Sequence, residues 1–231
     1  MGVIFGGELT SSSPICIYSC VTGQYHAGLQ PHPIIPDVEW ICFSDTLTNH
    51  PDWEIRHIDV PVGVSPRRAA KGPKMLPHVF VPEFRRSIWI DGTVRVDSPA
   101  FAAEAMAWTH GSGIAMFRHP QRHDIFSEAV VSLTMAKYQD EPIVDQANWY
   151  RDRGIPHDSG LWAAGIIARD DESDLVRALG EAWLAEIDRW SVQDQLALPW
   201  VLWKMGVEPG AFPASLYENR WLSVMGHNQD R

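Results

Sequence analysis

Short apolar runs that each close on an acidic or turn residue recur along this chain, with stretches of helical spacing between them. That alternation predicts a layered α/β domain. Ile15–Val21 reads as a buried strand ending at the turn residues Thr22 and Gly23, and Val38–Ser44 as a second strand stopping at Asp45. Residues 53–60 alternate like a third strand. Ser65-Pro66 has the form of an N-cap followed by the first helical residue, and Gly72-Pro73 is expected to divide that helical region into two pieces. Arg86–Ile90 is a further apolar strand, and it delivers Asp91-Gly92-Thr93 at its end. Ser98-Pro99 opens a helix running to Trp108, and residues 113–117 return to the sheet.

The second half follows the same style. Residues 127–139 have helical character, and residues 160–168 are apolar and strand-like. An acidic start at residues 170–174 opens a helix whose apolar stripe is Leu175, Leu179, Trp183 and Ile187. Residues 191–205 are expected to form a last helix, bent or shortened by Pro199 and closed by Gly206. No repeat, charged block or linker divides the chain. One domain is therefore expected over residues 15–225, with a flexible N-terminal segment at 1–14 and a C-terminal tail at 226–231.

Charge narrows the partners. The chain has 231 residues, 19 basic and 29 acidic, a net of −10 with histidine neutral. A nucleic-acid binder needs a basic face to neutralise phosphates, so that class is disfavoured. Four cations (Arg67, Arg68, Lys71 and Lys74) nevertheless fall within eight residues. They suit a small pyrophosphate ligand, and equally a solvated helix face. Three cysteines, Cys16, Cys20 and Cys42, make neither a disulfide framework nor a zinc pattern. With no apolar stretch long enough to cross a bilayer and no signal-peptide pattern, a cytoplasmic location is expected. Among the 11 tryptophans, Trp89 and Trp183 look like core, whereas Trp149, Trp162, Trp200 and Trp203 lie near segments where a sugar could stack.

Several constellations could carry chemistry. In open α/β sheets ligands gather beyond the carboxyl ends of strands, where Asp45 and Asp91 stand. Asp91-Gly92 offers a hard oxygen to a cation bridging two phosphates, and Asp-Gly is also a common turn. Ser191-x-x-Asp194 has capping-box spacing, which leaves the amides of Gln193 and Gln195 unexplained. Asp158, entering a strand, suits a base or a sugar-hydroxyl ligand, and equally an Asx turn. His119 and His123 are four residues apart and, with Asp124, form a candidate metal-hydrolase site, although Pro120 interrupts a continuous helix.

Three blocks together resemble a known family. IYSCVTGQYH, VEWICFSD and the stretch containing KGPKMLPH and WIDG are similar to the glycosyltransferase-like domain of plant mucilage-type hexosyltransferases and their bacterial relatives. KGPKMLPH with WIDG is the most specific part, and the resemblance runs from Ile15 to Lys204. A more distant similarity is to retaining glycosyltransferases of the GT-A fold. The resemblance implies a mixed, mostly parallel central sheet flanked by helices. It implies a nucleotide-sugar donor, a carbohydrate or glycolipid acceptor, and manganese or magnesium. By position it implies that Asp91 and His227 hold the metal. With a diphosphate donor, the strand ends and the cationic segment are expected to hold it through Ser19, Thr22, Tyr25, Asp45, Arg68, Lys71, Lys74, Asp91 and Gly92. Asp158, Asp194 and Gln195 would take the catalytic positions. Thr93 departs from the family pattern, standing where a second metal aspartate is expected. A non-catalytic nucleotide-sugar or glycan-binding module with a degenerate metal site is the alternative.

Overall fold

The computed structural model describes residues 13–23 and 29–225. Tyr25, His227 and most of the expected N-terminal segment and tail lie outside the described residues.

Seven strands form one sheet in the order β3-β2-β1-β4-β7-β6-β8. They are β1 (Ile15–Val21), β2 (Val38–Ser44), β3 (Glu54–His57), β4 (Arg86–Ile90), β6 (Ile114–Arg118), β7 (Trp162–Asp170) and β8 (Gly210–Ala211). A separate antiparallel pair joins β5 (Val94–Val96) to β9 (Leu222–Val224). The first four strands of the sheet order run parallel, while β7 lies antiparallel between β4 and β6. The sheet is therefore mixed and mostly parallel, as expected. One consequence matters for function. The carboxyl ends of β1, β2, β4 and β6 and the amino end of β7 all meet at one edge.

The apolar runs become strands because both sheet faces are covered. Cys16, Tyr18, Ile41, Phe43, Trp89 and Ile167 face one core, shared with Leu179, Trp183, Leu196 and Trp200. Ile17, Cys42, Ile88, Ile90 and Ile166 face the other, shared with Phe101 and Phe212. Strands buried on both faces read as continuous apolar runs. Among the described residues, no helix is long and apolar enough to cross a membrane.

Helix boundaries show where local signals were overridden. Ser65 caps α1 (Pro66–Ala69), as its Oγ accepts from Arg68 N at 3.2 Å. The helical region is divided at Ala70 and Leu76, whereas Gly72-Pro73 lie inside α2 (Lys71–Met75), with α3 (Pro77–Phe80) following. Proline at the third position of a short helix removes an N–H that has no intrahelical acceptor, so it does not break the turn. Next comes α4 (Phe101–Ala107). Then α5 (Ile125–Leu133) starts at an Asp124 cap and stops before a 3-10 turn at Ala136–Tyr138. It is followed by α6 (Ile143–Asp152), α7 (Asp174–Arg189) and α8 (Asp194–Met205). Gly206, at φ 65°, closes α8. The cap of α8 is Gln193, and Ser191 instead donates from Oγ to Gln146 Oε1 at 2.5 Å. No capping box forms there.

One glycine sets how close α2 comes to the core. A Cβ on Gly180 of α7 would lie 2.2 Å from the Met75 carbonyl oxygen. Gly180→Ala must push α2 outward, so we expect a loss of about 2 kcal/mol or more of stability. Urea unfolding measures it.

A second feature is the buried carboxyl of Asp171, whose oxygens have no hydrogen-bond partner among the described residues. Burial pushes its pKa from the ordinary 3.8 up to about 7, against the pull of nearby Ser87 and Arg169. Between those two values the folded chain holds a proton that the unfolded chain has released. Stability therefore falls as pH rises through that window. Asp171→Asn removes the penalty. Its thermal midpoint should exceed that of the unaltered protein at pH 8, with the gain shrinking toward pH 4.

Candidate functional site

At the shared strand edge opens a pocket of about 720 Å³, lined in part by Thr22, Lys71, Lys74, Asp91, Gly92, Thr93, Gln193, Asp194 and Gln195. Strand β4 delivers Asp91, whose N–H donates to the Gly165 carbonyl of β7 at 2.8 Å. Its Oδ1 accepts from Trp89 Nε1 at 2.7 Å and from Lys74 Nζ at 3.3 Å. Its side chain is 45% exposed and so available to a ligand.

The first turn of α8 places Asp194 opposite. Lys74 Nζ lies 2.6 Å and Lys71 Nζ 2.8 Å from Asp194 Oδ2. Lys74 is 6% and Asp194 10% exposed. Both lysines come from one turn of α2, because residues three apart share a helix face. Burial would raise the Asp194 pKa, but the two ammonium groups outweigh it and hold the carboxyl well below its usual range. Burial likewise disfavours both lysine charges. Lys74, with two carboxylates, is still raised above its ordinary value, whereas Lys71 is lowered. Two lysines and two aspartates thus form an ion cluster at the pocket floor.

A second polar wall rises from α5, the 3-10 turn and the segment before α8. Tyr138 OH donates to Gln193 Oε1 at 3.0 Å, and Gln193 Nε2 donates to Glu128 Oε1 at 2.8 Å and Ser132 Oγ at 2.9 Å. Glu128 is paired with Arg122. Lys137 and Arg67 also line the pocket. Burial and the Arg67 charge lower the Lys137 pKa. Five cationic side chains (Arg67, Lys71, Lys74, Arg122 and Lys137) therefore line a pocket with three carboxylates, those of Asp91, Glu128 and Asp194. The local excess is positive in a chain of net −10.

Several expected residues stand elsewhere. Arg68 turns away from the pocket and donates to the Ile187 carbonyl and, at 3.2 Å, to the Trp190 carbonyl, where a cation suits the end of α7. Its neighbour Arg67 faces the pocket instead. Ser19 is fully buried in β1, away from the lining. Asp45 binds the Gly23 N–H at 2.8 Å and so shapes the turn after β1, whereas Thr22, whose Oγ1 donates to the Pro66 carbonyl at 2.7 Å, lines the pocket. Gln195 lines it too, anchored by its Nε2 donating to the Trp162 carbonyl at 3.2 Å. Asp158 is exposed on the turn before β7 and is not part of the lining.

The histidine constellation does not assemble. Asp124 Oδ1 accepts from the N–H groups of Phe126 and Ser127, each at 2.8 Å. His119 Nδ1 accepts from the N–H groups of Gln121 and Arg122, and burial with the Arg122 charge drops its pKa to about 4. The tryptophans also sort differently. Trp162 is core, while Trp149 and Trp200 line a separate hollow of about 510 Å³, with Arg153 3.6 Å and Arg189 4.1 Å over the Trp149 ring.

The donor set for a divalent cation is thin. Such a cation wants several hard oxygens. Among the described residues no group of three His, Cys, Asp or Glu converges. Asp91 Oδ1 is engaged by Trp89 and Lys74, and buried Thr93 brings a hydroxyl in place of a carboxylate. The described residues do not by themselves fit a metal. His227 lies outside them.

Glu128, Lys137 and Gly165 were missed in the sequence, whereas the amide of Gln193 is singled out there beside Asp194. Only Gly165 carried a usable signal, as glycine inside a strand marks a close approach.

Fold and site together define an α/β protein with a cation-lined pocket at the carboxyl edge of its sheet. Residues 44–222 match the model of the TOD1/MUCI70, glycosyltransferase-like domain, so the chain belongs to that family. It is 31% identical over 142 residues to the probable hexosyltransferase MUCI70 of Arabidopsis thaliana, covering 57% of this chain and 24% of that relative. It is also similar to the WbbM bifunctional glycosyltransferase in its apo form, at 12% identity and a TM-score of 0.47, over 83% of this chain and 38% of that one.

A Cβ on Gly165 would sit 3.1 Å from Asp91 Oδ2. Gly165→Ala is expected to displace that carboxylate and weaken ligand binding several-fold, with little change in the unfolding midpoint. Calorimetric titration and thermal melting separate the two effects.

Proposed function

We propose that this chain is a glycosyltransferase that moves a sugar from a nucleotide-diphosphate donor to a hydroxyl of a carbohydrate or glycolipid acceptor. The observation that carries the reading is the Lys71–Asp194–Lys74–Asp91 cluster on the floor of a positively charged pocket at the strand edge. Glycosyl transfer makes three demands on a protein. The diphosphate leaving group must be neutralised, the anomeric carbon must meet the acceptor oxygen, and a cationic transition state must find oxygen nearby. The cations of the lining serve the first demand. Asp194, held ionised by its lysines, and the oxygen of Gln195 serve the third. Thr22 and Gly92, both in the lining, flank the donor.

A second reading has one observation in its favour. Thr93 stands buried where a further carboxylate is expected, which suits a module that binds nucleotide sugars without turning them over. Product release distinguishes the two. Incubated with nucleotide sugars and a range of sugar acceptors, the protein should release free nucleoside diphosphate. Asp194→Asn should cut that release by about a hundredfold or more, the scale of losing one charge-stabilising group. Thermal stabilisation by a nucleotide sugar with no release under any acceptor would leave the binding module standing. Absence of both would remove the donor reading.

A further inference from the structure

We propose that Tyr217 is the acceptor platform of the pocket, an aromatic face on which a neutral pyranose ring of the acceptor stacks. The proposal rests on the donor reading above and adds the surface that receives the second substrate.

The first argument is the make-up of the pocket walls. The cations of the lining come from α1, α2, the 3-10 turn and the segment before α5. A different wall is built by the chain between β8 and β9 together with the β5–β9 pair. It contributes Leu216, Tyr217, Val94 and Val224 to the lining, and none of these side chains is charged. Such a surface does nothing for a diphosphate. It suits a pyranose, whose hydroxyls surround the rim and leave C–H bonds on the faces of the ring. Those faces meet an aromatic ring while the hydroxyls keep their hydrogen bonds, and the phenolic oxygen offers one more polar contact.

The second argument is how the ring is mounted. At 62% exposure, Tyr217 carries the most exposed aromatic side chain among the described residues. Its backbone is nevertheless tied down. Asn219 Nδ2 donates to the Ser215 and Leu216 carbonyls at 3.2 and 2.9 Å. Asn219 Oδ1 accepts from the N–H groups of Trp221 and Leu222 at 3.0 and 2.9 Å. Tyr217 N–H donates to Ser215 Oγ at 3.3 Å, and Leu216 beside it is packed into the core. One residue anchors the turn, and the next presents its ring to the pocket. A lone exposed aromatic on a surface is ordinary. One held by an ordered turn in the lining of a pocket is arranged before its ligand arrives, and a tyrosine has few torsions left to freeze.

The test is kinetic and uses the full chain with manganese present. Nucleoside diphosphate release is followed from UDP-glucose, UDP-galactose and GDP-mannose. The acceptors are the methyl glycosides of glucose, galactose, mannose and xylose, and UDP and GDP affinities are read by calorimetry. Tyr217→Ala should melt like the unaltered protein, because the side chain is exposed. It should raise the acceptor KM at least about tenfold, the scale of one ring stacked on an aromatic side chain, with nucleotide affinity held within about twofold. Tyr217→Phe keeps the face and should stay within about threefold of the unaltered KM. An acceptor KM that does not move in Tyr217→Ala overturns the proposal and leaves the donor reading intact. So does a Tyr217→Ala variant that loses nucleotide affinity instead, which assigns the ring to the base. A Tyr217→Phe variant as impaired as Tyr217→Ala assigns the contact to the hydroxyl and overturns the stacking. Nucleotide binding with no glycoside stimulating release overturns the proposal as well. If no nucleotide binds and none is released, the donor reading falls and this inference falls with it.

Discussion

The ion cluster at the pocket floor is the constraint on which the rest of the site depends. Lys71 and Lys74 come from α2, Asp91 from the end of β4 and Asp194 from the start of α8, so four charges tie a short helix, a strand and a long helix together. Charges this enclosed are tolerable only when paired, because each alone would carry a large desolvation cost. The cluster can exist only because α2 lies against α7, and α2 can lie there only because residue 180 has no side chain. Packing and electrostatics therefore support each other. The close contact at Gly180 lets the lysines reach the aspartates, and the salt bridges hold a helix of only five residues that would not persist in isolation.

Sheet order gives the cluster its chemical setting. Because β7 runs antiparallel between β4 and β6, its amino end lies beside the carboxyl ends of its neighbours. That brings Gly165 under Asp91, and the turn carrying Asp158 onto the same edge of the sheet. The β5–β9 pair then walls the pocket, with Met225 N–H bound to the Thr93 carbonyl at 2.8 Å. The end of the described chain is thereby fixed beside the site.

Much of the fold was legible because double-sided burial writes itself as apolar runs. Ile15–Val21, Val38–Ser44 and Arg86–Ile90 appear as strands with the bounds their sequences suggest. Ser65 and Gly206 punctuate helices as their chemistry dictates. Local signals misled where a tertiary partner outweighed them. Ser191 and Asp194 have the spacing of a capping box, yet Gln146 takes the serine and two lysines take the aspartate. His119 and His123 have a metal-like spacing, yet backbone N–H groups and Arg122 engage His119.

By itself, the sequence determined the α/β class, the strand ends that carry Asp45 and Asp91, and the presence of one cationic segment in an acidic chain. These follow from periodicity and composition, which are local properties. Only the tertiary structure decided which charges face the pocket. Adjacent residues on a helix point about 100° apart, so Arg67 enters the pocket while Arg68 binds the end of α7. Lys71 meets Asp194 across 123 residues, and Gln193 meets Glu128 across 65. No spacing rule reaches that far, because such pairs are set by how helices pack on the sheet.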